Sequence, residues 1–413
     1  MKKYNIGIYG ISGSGKSTLI RSLSKKTSTM QAFEGSKILE NIFGEDISNF
    51  KLLNDKEKYK IREETISFIH KNSIAEKHTI VDCHYSFIKS DNDFDIAMTK
   101  ADKNFFTHIF YLDIKDNLIK QQQIKDKTRK RDFSIKDIQR WKEFEKVELQ
   151  KICEDNNIKF HKISSHDLSI DYVQEVINKE NLSSDLEIYI DTQMNDKYIL
   201  FDADQTIVNF DTAKKYVYKI LNIDEKDVKS CFEQDGYCFS SFLKLSTLHS
   251  KINNKEFINS MKKVASEIEI ESDFLDLMKI GYSNYNICIV TAGFKLLWEE
   301  VLQKYNLENI KVFGGNNLNI DNYIIDNNLK GFISTHLQNK GKHVMAFGDS
   351  ALDKDMLVNS NKGYLVIRHK VRADVVNILS RHKHIKYLSM NSLTTKHLEK
   401  SNFNEIKREL TCK

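Results

Sequence analysis

The sequence predicts an α/β protein of two doubly wound domains, each a parallel sheet with helices on both faces. Three observations carry this. A chain of 413 residues is too long for one ordinary core and suits two domains of roughly 150–230 residues. In the first half, short apolar runs alternate with helix-like segments, which is the βαβα pattern of a parallel sheet. At Tyr9 and again at Phe201, an apolar run stops at a loop rich in residues that handle phosphate or metal.

Composition narrows the class further. An apolar content of 40% and a charged content of 29% are those of a soluble globular protein. No run of about 18 apolar residues exists, so no membrane span is expected. Met1-Lys2-Lys3 leads straight into a strand, leaving no room for a signal peptide. The six cysteines form no CxxC pair and show no metal-ligand spacing. Cys83 and Cys288 fall in apolar runs, where cysteine acts as a small hydrophobe, so a reducing, cytoplasmic setting is expected. A net charge of +5 permits acidic ligands without demanding nucleic acid. With no proline in the chain, loops must be built from Gly, Asn, Asp and Ser.

The first strand is Tyr4-Asn5-Ile6-Gly7-Ile8-Tyr9, and residues 18–23 open a helix. Between them lies Gly10-Ile11-Ser12-Gly13-Ser14-Gly15-Lys16-Ser17, a P-loop in its strand–loop–helix context. Its glycines let the backbone curl so that consecutive N–H groups aim at phosphate oxygens, at the positive end of the helix. The expected nucleotide contacts are Gly10, Ser12, Gly13, Ser14, Gly15, Lys16, Ser17 and Thr18. Lys16 would reach the β- and γ-phosphates, and the Ser17 hydroxyl would ligate Mg²⁺. Further strands are expected at 78–81, 107–112 and 158–163. Asp82 ends the first of these, either in the Mg²⁺ shell or as a strand-end cap. Residues 168–180 read as a last helix, and 186–190 alternate like a short strand. The expected division is a domain at 1–181, a linker at 182–196 and a second domain at 197–413.

Phe33-Glu34-Gly35-Ser36-Lys37-Ile38-Leu39, the helix carrying Arg62, and Ile80-Val81-Asp82-Cys83-His84 together resemble archaeal-type adenylate kinases. Asp126-Lys127-Thr128-Arg129-Lys130-Arg131-Asp132 resembles that family's lid arginine cluster, and the likeness covers about residues 4–165. It implies a kinase with ATP as phosphoryl donor, with Arg62 a candidate for the acceptor phosphate. Charge spreads over a moving phosphoryl group, and Arg129 and Arg131 on a closing lid are suited to neutralise it bidentately. His84 is given no chemistry.

In the second half, Tyr198-Ile199-Leu200-Phe201 is a strand that ends at Asp202, followed by Ala203-Asp204-Gln205-Thr206. Two carboxylates two residues apart on one loop can face one substrate in different roles. This motif resembles that of haloacid-dehalogenase-like (HAD) phosphatases, which implies Asp202 as nucleophile and Asp204 as general acid and base. Val290-Thr291-Ala292-Gly293-Phe294 looks like the phosphoserine-phosphatase branch, with Thr291 on the phosphoryl oxygen. Lys330 at the head of a helix fits the phosphate-stabilising lysine, with Lys340 as the alternative. Asp349 and Asp353, in Gly348-Asp349-Ser350-Ala351-Leu352-Asp353, fit the Mg²⁺-binding motif, completed by Asp202 and the Asp204 carbonyl. The likeness spans about residues 198–375 and implies a Rossmann-like core. Gln205 departs from the family's usual small residue, commonly glycine, and puts substrate access past a bulkier turn in question. The helical patterning at about 207–285 implies a small cap, with Tyr237, Phe239, Phe242 and Lys244 as possible substrate contacts or as cap core.

Together the halves imply a bifunctional enzyme that transfers phosphate from ATP to a nucleotide or nucleoside-like small molecule and hydrolyses a phosphomonoester with Mg²⁺ through an aspartyl-phosphate. The alternatives are a polynucleotide 5′-kinase/3′-phosphatase, which needs a basic groove for the strand, and a regulatory nucleotide-binding switch. The one basic cluster, residues 125–131, is already explained by the lid, and the intact Lys16, Ser17, Asp202 and Asp204 oppose a degenerate switch.

Overall fold

The apolar run ahead of the P-loop becomes strand β1 (Asn5–Tyr9), the middle of a parallel sheet. With it stand β2 (Met30–Glu34), β3 (His78–Asp82), the hairpin strands β4 (Ser86–Ser90) and β5 (Asp93–Ile96), then β6 (His108–Leu112) and β7 (Lys159–Ile163). The computed structural model describes residues 2–26, 29–44, 47–50, 52–90, 93–126, 133–164 and 169–411. The chain divides into two compact units, Met1–Val176 and Ile177–Lys413.

In the first unit the sheet order is β2-β3-β1-β6-β7, with every pairing parallel. β3 and β6 are buried at every position, as expected of strands covered by helices on both faces. Helices begin where the sequence supplies a capping box: Asn54 with Glu57 ahead of Asp55–Lys71, Thr99 with Asp102 ahead of Lys100–Phe105, and Ser134 with Asp137 ahead of Ile135–Asp155. The antiparallel β4–β5 hairpin follows the Asp82-Cys83-His84 turn, an element absent from the sequence expectation.

In the second unit the strands are β8 (Lys197–Phe201), β9 (Asn286–Val290), β10 (Lys311–Phe313), β11 (His343–Gly348), β12 (Lys362–Ile367), β13 (Ile385–Ser389) and β14 (Glu399–Lys400). They pair in parallel in the order β10-β9-β8-β11-β12-β13-β14. Alternation along each strand divides the core. Ile199, Phe201, Ile287, Ile289, Met345 and Phe347 face one layer, while Tyr198, Leu200, Cys288, Val290, Val344 and Ala346 face the other. Between β8 and β9 the chain forms the expected helical insertion, including Glu225–Ser230, Phe239–His249 and Asn254–Ser266. Past residue 375 the helix Phe403–Thr411 packs beside Ser272–Gly281, where Lys407 pairs with Asp273 and Asp276 and Phe403 meets Phe274 edge-on.

One expectation is corrected. Residues 186–190 are not a strand but part of the helix Ser169–Asp191, and the unit boundary falls within that helix. Leu182, Leu186 and Ile190 recur every four residues and are buried against β8, β9 and the helix Asn327–Asn339, so most of the expected 182–196 linker is a buried helix face. Among the described residues no helix is long and apolar enough to cross a membrane. Five described cysteines are free thiols.

Candidate active sites

The P-loop follows β1 at the carboxyl end of its sheet, beside the point where the chain turns from the β3 side to the β6 side. Gly10, Gly13 and Gly15 have φ of 143°, 90° and 94°, values that side-chain-bearing residues rarely take, so the curl of the loop depends on them. A Cβ on Gly10 would sit 2.8 Å from Ser14 Oγ. That hydroxyl is buried and has no hydrogen-bond partner among the described residues. An orphaned donor inside a curled glycine-rich loop fits a phosphate group. Lys16 is 6% exposed and donates to the Gly10 and Ile11 carbonyls at 2.6 and 3.3 Å, holding its ammonium within the loop. Ser12 is buried with its carbonyl bonded by Gln123, and Thr18 lies exposed on the first helical turn.

Ser17 Oγ donates to Asp82 Oδ2 at 2.7 Å, and Gly35 N donates to Asp82 Oδ1 at 2.9 Å. The carboxylate therefore lies beside the P-loop hydroxyl and also accepts from the first amide of the helix Gly35–Phe43. Ser17 and Asp82 are the pair that would hold Mg²⁺ here. Arg129 and Arg131 lie outside the described residues. Arg62 is accounted for otherwise. Its guanidinium reaches Asp95 at 3.3 and 3.2 Å and the Ile96 carbonyl at 2.8 Å, bracing β5 rather than presenting a free cation.

In the second unit Asp202 leaves the end of β8, Thr291 the end of β9 and Asp349 the end of β11. Register brings these ends together. Phe201 lies opposite Ile289 and Phe347, and Asp202 N donates to the Phe347 carbonyl at 2.9 Å. Lys330, on the first turn of Asn327–Asn339, is 2% exposed and bridges Asp202 Oδ1 at 2.5 Å and Asp353 Oδ1 at 2.6 Å. Lys340 instead pairs with Glu187 at the surface at 2.9 Å. Thr291 is buried, and its hydroxyl accepts from Gly293 N at 2.9 Å. A Cβ on Gly293 would come within 3.2 Å of both Asp204 Oδ2 and Thr291 Oγ1, so the bare glycine leaves the approach between them open.

Asp204 Oδ1 accepts from Thr212 N at 2.7 Å. Burial, with Asp211 adding to it, pushes its carboxyl up to about 6 against the Thr212 bond, a value suited to a group that gives and takes a proton near neutrality. Burial also raises Asp202, with Asp353 adding and Lys330 opposing. Burial opposes the charge on Lys330, yet Asp202 and Asp353 outweigh it and hold its ammonium above the ordinary lysine range.

Asp202, Asp349 and Asp353 each offer a carboxylate oxygen, all within 4.8 Å of one another. Asp353 is already engaged, by Lys330 on one oxygen and by Asp349 N, Ser350 N and Ser350 Oγ on the other. No described protein donor bonds the Asp349 carboxylate, and burial together with Asp353 and Asp202 raises it strongly. Three clustered carboxylates and Asp204 face a single ammonium, a deficit of positive charge that a hard divalent cation completes. The site fits Mg²⁺, which Asp202, Asp349 and Asp353 would hold.

Several contributors were not foreseen. Thr206 Oγ1 donates to Asp202 Oδ2 at 3.1 Å, and Ser350 fixes Asp353. Both lie inside the motifs, so their spacing was a usable signal, whereas the Thr212 amide carries none. Of the possible cap contacts, Phe239 and Phe242 are buried, with Leu243, against Ile324, Ala292, Leu318 and Leu352. Tyr237 is 61% exposed, and Lys244 pairs with Asp235 at 2.9 Å. Gln205 has a φ of 60°, where glycine is the easy residue, so the departure from a small residue bears on backbone conformation as well as on bulk.

Residues 9–142 match the family model of an AAA domain. No curated protein sequence matches the chain. Among solved structures, a phospho-aspartyl intermediate analogue of phosphoserine phosphatase is similar over 52% of this chain and 99% of that one, at 19% identity and a TM-score of 0.35. Phosphoserine phosphatase from T. onnurineus is similar over 53% and 96%, at 16% identity and a TM-score of 0.32. Shikimate kinase from Acinetobacter baumannii is similar over 47% and 97%, at 14% identity and a TM-score of 0.31. Both units of the chain are α/β with parallel sheets, and the AAA-domain match falls on the first, over the P-loop.

Proposed function

We propose that the chain is a bifunctional kinase–phosphatase. The first unit transfers the γ-phosphate of ATP to a nucleotide or nucleoside-like small molecule, and the second hydrolyses a phosphomonoester. The observation that carries the reading is the convergence of Asp202, Asp204, Thr291, Lys330 and Asp349 from three strand ends and one helix start.

In the phosphatase half, an Asp202 oxygen attacks phosphorus and forms the aspartyl-phosphate as the bond to the leaving oxygen breaks. Asp204 gives that oxygen its proton. Water then attacks phosphorus, Asp204 takes the water's proton, and the Asp202 carboxylate is released with inorganic phosphate. Lys330 and the Thr291 hydroxyl stabilise charge on the phosphoryl oxygens. Mg²⁺, when bound, neutralises the nucleophile and the phosphoryl group. In the kinase half the P-loop amides and Lys16 would hold the phosphates, Ser17 and Asp82 would hold Mg²⁺, and Arg129 and Arg131 would neutralise the group in transit.

The preference for a small substrate rests on enclosure. Asp202 is 5% exposed, and the apolar cluster of Phe239, Phe242 and Leu243 packs on Ala292 and Leu352, neighbours in sequence of Thr291 and Asp353, whereas a nucleic-acid strand needs an open basic groove. The test is hydrolysis of an aryl phosphate by the full chain with Mg²⁺, lost in Asp202→Asn, together with labelled-phosphate transfer from ATP to a mononucleotide panel and to 5′-hydroxyl oligonucleotides at two salt concentrations. Full hydrolysis by Asp202→Asn would overturn the phosphatase assignment. Salt-sensitive labelling of oligonucleotide ends without mononucleotide turnover would turn the kinase reading to nucleic-acid ends.

A further inference from the structure

Gln205 directly follows Asp204 and sits at φ 60°, ψ −3°, a left-handed conformation that a residue with a side chain keeps only where its surroundings impose it. The peptides on either side of it are both pinned. Gln205 N donates to the Phe210 carbonyl at 3.2 Å. The Gln205 carbonyl accepts from Arg368 Nε at 2.6 Å, and the next carbonyl, Thr206, accepts from Nη2 of the same guanidinium. Nη1 reaches Glu271 Oε1 at 2.6 Å, and Glu271 N donates to the carbonyl of Ile207 at 3.0 Å. Three successive carbonyls of the loop after Asp204 are thus tied to Arg368 and its acidic partner. Arg368 follows β12, is 6% exposed, and has its own carbonyl fixed by Asn391 Nδ2 at 2.9 Å.

We propose that Arg368 is a positioning residue of the phosphatase site, clamping the loop of Asp202 and Asp204 into a turn that Gln205 by itself resists. The proposal rests on the phosphatase reading. Because a peptide is planar and trans, fixing the Gln205 N–H fixes the Asp204 carbonyl on its far side, and fixing the Gln205 carbonyl fixes the following plane. Both peptide planes around Gln205 are then set, and with them the direction in which Asp204 leaves the loop. Only a planar fork offers three donors in the required directions at once; a lysine ammonium is a point charge on a flexible stem. Glycine enters this conformation freely and needs the clamp less.

The experiment compares the full-length wild type with Arg368→Lys, Arg368→Met and each combined with Gln205→Gly, in aryl-phosphate hydrolysis at saturating Mg²⁺. Displacing a reacting group by about 1 Å can cost about a hundredfold, so either arginine variant should lose about 10- to 100-fold in kcat. KM should change by less than about threefold, since the clamp sets reactivity rather than binding. Adding Gln205→Gly should recover a large part of the lost kcat, a rescue that a merely structural arginine would not show. If Arg368→Met does not fold, Arg368→Lys and its Gln205→Gly partner carry the comparison. Hydrogen exchange of segment 202–210 reads the clamp without turnover and should speed up about tenfold or more in Arg368→Lys, since released carbonyls free the loop to open. Wild-type kcat in both arginine variants, unchanged exchange, or no rescue by Gln205→Gly would overturn the proposal. An inactive wild type would overturn the phosphatase reading instead, while exchange still decides whether Arg368 holds the loop.

Discussion

Replacing Lys330 with methionine keeps the length of the side chain and removes one buried charge. In the native site its Nζ lies 2.5 Å from Asp202 and 2.6 Å from Asp353, with side-chain exposures of 3%, 7% and 0% for the three groups. Removing one partner of a buried ion pair costs about 3–5 kcal/mol, because the other charge is left uncompensated. Asp353 keeps its bonds to Asp349 N and Ser350, which places the expected loss near the lower end, about 3 kcal/mol. For a unit of this size that is a fall of about 6–12 °C in its melting transition. The pH dependence has a definite sign. Lys330 opposes the raising of Asp202 by burial and Asp353, so its removal lifts that carboxyl further above its unfolded value. The folded variant then takes up protons that the unfolded chain does not, and its stability falls as pH rises. Lys330 itself stays charged throughout, so the deficit reports the carboxylates. Calorimetry of the full chain in EDTA should show the deficit near its full size at pH 8 and smaller at pH 5. A deficit below about 2 °C at pH 8, or one equal at both pH values, would refute the buried-pair reasoning.

Three further outcomes are expected. Mg²⁺ at ten times its dissociation constant should raise the same transition by about 1.4 kcal/mol, a gain that Asp349→Asn abolishes, and in EDTA that variant should melt above the wild type because a strongly raised carboxylate is gone. The first unit should weaken on acidification. Burial lowers His78 to about 4 and His108 to about 3, so below the unfolded value near 6.5 the unfolded chain takes the protons first, costing about 2 kcal/mol per histidine by pH 5. An unmoved transition between pH 6.5 and 5 would count against those neutral histidines. Ser17→Ala, removing the hydroxyl 2.7 Å from Asp82, should lower affinity for Mg·ATP about tenfold or more in titration calorimetry while leaving metal-free ATP binding nearly unchanged.

The features legible in the sequence were those whose chemistry is local. The curl of the P-loop is set by glycines at successive positions, so Gly10 through Ser17 announced both a backbone shape and its charge preference. Asp202 and Asp204 were readable because two residues of separation on a strand-end loop brings both carboxylates to one place. Strands β1, β3, β6, β7 and β8 were readable from their apolar runs, and Lys330 from its place at a helix start. Other readings failed where the deciding contact lies far along the chain. Residues 186–190 alternate like a strand, but the sheet face waiting for Leu182, Leu186 and Ile190 made them helix. The pairing of Arg62 with Asp95, 33 residues away, likewise left no mark in the local sequence.

By itself, then, the sequence determined the two parallel-sheet domains, the phosphate loop and the identity of the acidic groups, because backbone conformation and motif spacing are encoded within a few residues. Tertiary structure alone decided that Lys330 rather than Lys340 stands between Asp202 and Asp353, and that Asp353 is already engaged while Asp349 is not. It also decided that Arg368, 163 residues from Gln205, supports the turn after Asp204. Ion pairs and hydrogen bonds act over a few ångströms in space, and which side chains come that close is set by the register and packing of the whole sheet rather than by distance along the chain.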